Sequence, residues 1–253
     1  MTYCLGIKVR EGLVCLADGR ITSGRQMSNA RKVSLHGPDD GRFCIMTSGL
    51  RSLRDKTLAY LDRDLGGGPA RSIGFLVDAV NLYSKCLRRV SREDRAALRG
   101  SDLTFDLHAV VAGRLPRDRE PTVFLVYPEG NWIEIDDRTP YLSIGNTAYG
   151  KPILDRALRP ETSIRTALKL AYLSFDSSRT SAADVGFPID MLVLSADGRR
   201  WREVQYDYDD LRDQRVWWNE HITELADQMP DGPWVEALLG APAAGRLSLV
   251  RDD

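Results

Sequence analysis

A threonine directly behind the initiator methionine carries a hydroxyl and, once Met1 is removed, a free α-amino group on the same residue. A threonine hydroxyl is a poor nucleophile until a base takes its proton, and Thr2 would supply that base itself. An α-amino group has a pKa of about 7.7–8.0, near enough to neutrality to accept a proton directly or through one water. Threonine is also small enough for a methionine aminopeptidase to clear the residue before it. Such a nucleophile needs a cation that holds the amine's pKa down and favours the developing alkoxide, and a carboxylate that positions the cation. Asp18 and Lys32 supply both if the strands that carry them lie side by side. A backbone N–H in Thr47-Ser48-Gly49 could complete an oxyanion hole. If Met1 stays, the base becomes an amide and the chemistry is lost. Each residue also has a plain reading: Thr2 as an inert second residue, Asp18 as a turn aspartate before Gly19, Lys32 as an exposed cation at a strand end.

The elements that must position these groups are legible from apolar periodicity. Residues 3–9 and 12–18 are short apolar runs split by Arg10-Glu11, a hairpin pattern. Further strands are expected at 32–36 and 42–48, around the turn-rich stretch from Gly37 to Gly41. Helices are expected at 50–64 and 72–90, the second with Ile73, Leu76, Val77, Val80, Tyr83, Leu87 and Val90 on one face. Strands return at 104–113, 121–127, 131–135 and 141–145. Helices follow at about 148–158 and 162–176, then strands at 189–195 and 202–206. A last helix near 208–229 aligns Leu211, Trp218, Ile222, Leu225 and Met229, and the remainder reads as an irregular tail. Two groups of mostly antiparallel strands, each covered by a helix pair, make an α+β fold: a four-layer αββα sandwich with a C-terminal helical extension. The expected division is a domain over 1–206 and a helix and tail over 207–253.

Composition narrows the chemistry by exclusion. The 253 residues are 43% hydrophobic and 28% charged, with a formal net charge of −1, which suits a globular chain and gives no field to gather nucleic acid or an anionic membrane. No apolar run reaches the eighteen or so residues of a membrane span, and the N-terminus lacks a secretory pattern, so the expected location is cytoplasmic. Cys4, Cys15, Cys44 and Cys86 have neither zinc nor disulfide spacing and read as small core hydrophobes. His36, His108 and His221 read as surface or alternating-strand residues. The sequence has no G-x-S-x-G, no phosphate loop, no H-E-x-x-H and no G-x-G-x-x-G, so neither metal nor cofactor is expected. Cations are 29 arginines and six lysines, which gives each lysine a mild prior for a site that needs a compact ammonium.

The runs L-A-D-G-R-I-T at 16–22, N-A-R-K-V at 29–33 and M-T-S-G-L at 46–50 resemble the start of a proteasome β subunit, a family of N-terminal nucleophile hydrolases. The resemblance extends over roughly residues 2–195. It is strongest to the bacterial homologue known as the ancestral beta subunit, or Anbu, through the M-T-Y-C-L-G-I opening without a propeptide, A-Y-L-S-F-D-S-S at 171–178 and the long C-terminal extension. The resemblance implies Thr2 as nucleophile and base, Asp18 as orienter, Lys32 as electrostatic partner and Gly49 as oxyanion donor. It implies that Thr22 holds substrate backbone as an added strand, and that Asn146, Asp176 and Ser178 stand near the amine. Asn146 departs from the family, which keeps a serine there, and Lys32 falls slightly closer to Thr2 than is usual.

The leading expectation is a threonine-type peptidase acting through an acyl-enzyme. Two alternatives stay open: an amidase for small peptides or γ-linked amides, and a catalytically silent assembly subunit. The resemblance further implies a homo-oligomer, either a ring or an open helical stack, with a peptide or protein substrate. It leaves an ATPase partner undetermined. Trp217, Trp218 and the terminal helix are candidates for the subunit contact, with packing of Trp218 in its own core as the alternative.

Overall fold

The computed structural model describes residues 2–23, 26–37, 42–66, 73–196 and 200–240, with the backbone alone at 22, 23, 26 and 27. The chain divides into two compact units between Asp210 and Leu211.

The first unit holds two antiparallel five-stranded sheets and a small hairpin. In the first sheet, β1 (Tyr3–Val9) pairs with β2 (Gly12–Asp18), the hairpin that the two apolar runs predict. The same sheet continues outward through β10 (Tyr141–Gly145) on one side and β11 (Ile189–Ser195) and β12 (Arg202–Tyr206) on the other. The second sheet runs in order through β5 (Val33–His36), β6 (Phe43–Gly49), β7 (Leu107–Gly113), β8 (Thr122–Val126) and β9 (Trp132–Glu134). Between them in sequence, β3 (Arg20–Ser23) and β4 (Gln26–Asn29) form a hairpin of their own. The sequence does not signal it, because R-I-T-S and Q-M-S-N are short and lack an apolar alternation.

Alternation along the strands decides what each face meets. Cys4, Leu13, Cys15, Ala17 and Leu192 of the first sheet share one buried cluster with Cys44, Met46, Val110 and Val123 of the second. The opposite face of the second sheet, including Phe43, Ile45, Val111 and Phe124, is covered by α1 (Arg51–Gly66) and α2 (Leu76–Gly100) through Leu53, Leu61, Val80, Tyr83, Leu87 and Val90. Each such fully buried side chain contributes about 1.5–3 kcal/mol relative to exposure. On the first sheet's other face, Tyr3 meets α4 (Ile164–Ser181): its ring lies edge-on to Phe175 with centroids 6.1 Å apart, and its hydroxyl shares a 2.6 Å hydrogen bond with Ser174. The Ser163 hydroxyl caps α4 by accepting the Thr166 N–H, and the short α3 (Lys151–Ala157) precedes it.

α2 starts four residues later than expected and continues ten residues past Val90. Its last turns lose the apolar stripe and are held by charge instead. Lys56 of α1 pairs with Glu93 at 2.9 Å and Asp94 at 2.6 Å, and Arg89 with Glu93 at 2.9 Å.

The second unit contains α5 (Arg212–Asp227) and, in the stretch expected to be irregular, α6 (Pro233–Leu239). On α5, which is shorter than the expected 208–229, Trp217, Ile222 and Leu225 are exposed and Trp218 is half-buried; Met229 beyond its end and Trp234 of α6 are exposed as well. Among the described residues no helix is long and apolar enough to cross a membrane.

Candidate active site

Thr2 enters the fold at the head of β1 and is only 6% exposed. Its carbonyl accepts the Asn146 N–H at 2.6 Å. Gly145, just before, has φ +90°, and a Cβ there would overlap the Thr2 carbonyl oxygen, so only glycine fits. On the other side, the Tyr3 N–H donates to Asp18 Oδ1 at 2.8 Å.

That carboxylate is the hub. Asp18 ends β2, is wholly buried, and accepts Lys32 Nζ on the same Oδ1 at 2.6 Å. Its Oδ2 receives the Gly186 N–H at 3.3 Å. Burial pushes the Asp18 carboxyl above its ordinary pKa, and the Lys32 ammonium with the two N–H donors pulls it only part of the way back. Lys32 lies between β4 and β5, and its carbonyl accepts the Thr47 N–H at 3.2 Å, which ties it to β6. At the end of β6, Gly49 has φ +135°, and a Cβ there would overlap the Asp106 carbonyl oxygen.

Thr2, Lys32, Thr47, Ser48, Gly49 and Gly145 line one cavity of about 880 Å³. Arg20 and Ile21 bring the start of β3 to its wall. Thr22 continues that strand opposite Met27, but its side chain lies outside the described residues, as does Met1.

Asp176 and Ser178 are not among the residues lining the cavity. Both are buried within α4, where Asp176 is held by Arg179 at 2.6 Å. The carboxylate that Asn146 meets through its side chain is Asp184, in the loop between α4 and β11. That loop also supplies the Gly186 N–H to Asp18. A-A-D-V-G-F-P carries no chemistry-bearing spacing, so its role is invisible until α4 and β11 are packed on β2.

Of the histidines, His108 lines the cavity with its Nδ1 2.9 Å from Asp106. His36 is buried and bridges Ser34 at 2.7 Å and Asp62 at 2.8 Å, while His221 stacks on Trp217. All four cysteines are buried free thiols. Among the described residues no cluster of three or more His, Cys, Asp or Glu is placed to hold a metal ion.

No family model matches the chain. Among curated proteins, it is 22% identical over 208 residues to proteasome subunit beta 2 of Pyrobaculum islandicum, spanning 79% of this chain and 94% of that protein. It is also 22% identical over 203 residues to proteasome subunit beta 1 of Pyrobaculum neutrophilum, spanning 77% and 90%. By sequence, then, the chain is similar to proteasome β subunits. Its structural neighbours include Anbu proteins. The helical assembly of the Anbu complex from Pseudomonas aeruginosa superposes with TM-score 0.84 at 27% identity, covering 91% of this chain and 98% of that one. Anbu from Yersinia bercovieri gives 0.81 at 26%, covering 91% and 98%. An Anbu mutant from Hyphomicrobium sp. strain MC1 gives 0.82 at 26%, covering 92% and 99%.

Proposed function

We propose that the chain is a threonine-type N-terminal nucleophile hydrolase that cleaves peptide bonds after Met1 is removed. The observation that carries this reading is the single carboxylate of Asp18, which ties the backbone next to Thr2 to the Lys32 ammonium at the wall of one cavity. In the mechanism, the Thr2 amine takes the hydroxyl proton as Oγ attacks the substrate carbonyl. The oxyanion that forms is received by the Gly49 N–H. Collapse expels the leaving amine, which takes the proton back from the Thr2 ammonium, and leaves an acyl ester on Oγ. Water, deprotonated by the same amine, attacks the ester and regenerates Thr2. Lys32 stabilises the alkoxide throughout, and Asp18 fixes Lys32. Asn146, with Asp184 behind it, stands beside the amine where the family keeps a serine. β3, carrying Thr22, offers an edge on which substrate backbone adds as a strand.

On this reading residues 1–206 form a four-layer αββα body, in keeping with the cluster shared by the two sheets and the helices on their outer faces. Residues 207–253 form an extension. Its exposed Trp217, Ile222, Leu225 and Met229 suit a contact between copies in a cytoplasmic homo-oligomer, a ring or an open helix according to rotation and rise.

The test is the intact mass of the purified protein before and after an excess of a peptide epoxyketone, which bridges a free amine and its hydroxyl. Expected are loss of the methionine mass and one adduct mapped to Thr2, absent in Thr2→Ala. Retained Met1, or a free Thr2 that takes no adduct, overturns the reading in favour of a silent assembly subunit, to which Asn146 would be the clue.

A further inference from the structure

The wall of the cavity carries more positive than negative charge, and its distribution is uneven. Among the described residues Arg20, Lys32, Arg51 and Arg54 line it as fixed cations, with His108 beside them and Asp106 as the one lining carboxylate. Lys32 is matched by Asp18, and Asp106 is engaged by His108. Arg51 and Arg54 share a single carboxylate, Asp55, which is not among the lining residues. Arg20 donates to the Ala183 carbonyl, which offsets none of its charge. With Asp18, Asp55 and Asp106 all counted, four fixed cations face three carboxylates among the described residues.

Part of the surplus sits at the start of α1. Arg51 opens that helix two residues after Gly49, and Arg54 follows one turn on. Arg54 is held rigidly, with Nε and Nη2 on Asp55 at 2.9 and 2.8 Å and Nη1 donating to the Arg31 carbonyl at 2.8 Å, which leaves one N–H on each terminal nitrogen. Among the described residues Arg51 contacts Asp55 only through Nε at 3.3 Å, so both of its terminal nitrogens are left for a ligand. α1 has no acidic residue in its first turn, so its N-terminal dipole adds to the same field. Gly49, the proposed oxyanion donor, and both arginines line the same cavity.

Resting on the reading of Thr2 as nucleophile, we infer that the preferred substrate carries a carboxylate side chain, glutamate or aspartate, on the residue whose carbonyl Thr2 attacks. Arg51 and Arg54 receive that carboxylate as paired, charge-assisted donors.

The test separates recognition from chemistry. Fluorescein-labelled tripeptide amides ending in glutamate, leucine or lysine are titrated by fluorescence polarisation against the Thr2→Ala protein, and epoxyketones of the same three peptides are reacted with the unmodified protein. Expected is at least tenfold tighter binding of the glutamate peptide than of the lysine peptide. That ratio should fall severalfold between 50 and 500 mM salt and again in Arg51→Gln, a surface change that leaves thermal unfolding alone. Equal or better binding of the leucine or lysine peptide, or no binding of any peptide at millimolar concentration, overturns the inference. Glutamate-selective binding without an adduct on Thr2 upholds it and counts only against the hydrolase mechanism.

Discussion

Removing Lys32 while leaving Asp18 in place tests the central electrostatic reasoning. Asp18 is wholly buried, and Lys32 is the only cation paired with it among the described residues. Breaking a buried pair from one side costs about 3–5 kcal/mol, because the remaining charge is left uncompensated. Asp18 keeps two N–H donors, from Tyr3 and Gly186, so Lys32→Met belongs at the low end, about 3 kcal/mol. The same loss raises the Asp18 pKa further, because the ammonium that favours its charged form is gone. The sign follows from the raised folded-state pKa. Below the unfolded value of about 3.9 the carboxyl is protonated in both states and the deficit is absent. As pH rises towards the folded value the deficit grows, and above it the deficit is constant. The stability gap to the unmodified protein should therefore be wider at pH 8 than at pH 5. Asp18→Asn should cost less, about 1–3 kcal/mol, since the Lys32 ammonium reaches the cavity and its water. The double variant should be more stable than Lys32→Met alone at pH 8. Urea unfolding at one fixed protomer concentration measures all four proteins. A loss below about 1 kcal/mol for Lys32→Met, equal at pH 5 and pH 8, would refute the reasoning and mean that Asp18 is hydrated.

Three further outcomes are expected. Gly145→Ala forces a side chain onto a left-handed backbone and into the Thr2 carbonyl, so it should cost about 1–3 kcal/mol and abolish the Thr2 adduct even in the fraction that remains folded, as read by mass spectrometry. Tyr83→Phe should stabilise the protein by about 1 kcal/mol in the same urea titration, because the buried Tyr83 hydroxyl has no hydrogen-bond partner among the described residues. Hydrogen bonds from Lys56, Tyr60 and Arg89 hold the Glu93 carboxyl down at about 2. Whatever stability this lends is present above the ordinary glutamate pKa and is lost as pH falls through about 2, so the carboxyl carbon of Glu93 should titrate by NMR about two units below an ordinary glutamate.

The sequence and the structure agree where the information is local. The β1–β2 hairpin follows from two apolar runs split by Arg10-Glu11, and the buried face of α2 follows from helical spacing up to Val90. Beyond Val90 the helix persists through ion pairs with α1, and charge patterns on one helix do not announce a partner on another. The β3–β4 hairpin is hidden for a related reason: four polar-rich residues per strand have no alternation to read. Of the stripe expected on the last helix, Trp218, Ile222 and Leu225 fall on α5 while Leu211 and Met229 flank it, and periodicity does not say whether such a stripe meets its own core.

At the site, residue types alone singled out Thr2, Asp18, Lys32 and the end of β6, because few side chains can serve as nucleophile, cation and orienter without histidine or metal. Tertiary structure decided that Thr2, Lys32 and Gly49 share one cavity. It also decided that Asp18 bridges the Tyr3 and Gly186 N–H groups, and that Asp184 meets Asn146 while Asp176 is held by Arg179. Arg51 and Arg54, unremarkable in the sequence, become part of the cavity wall only when α1 starts beside Gly49. Periodicity and residue chemistry act over a few residues, whereas these contacts join positions up to 168 apart in the chain. Such pairings depend on which buried faces meet, and that is a property of the packed sheets and helices as a whole.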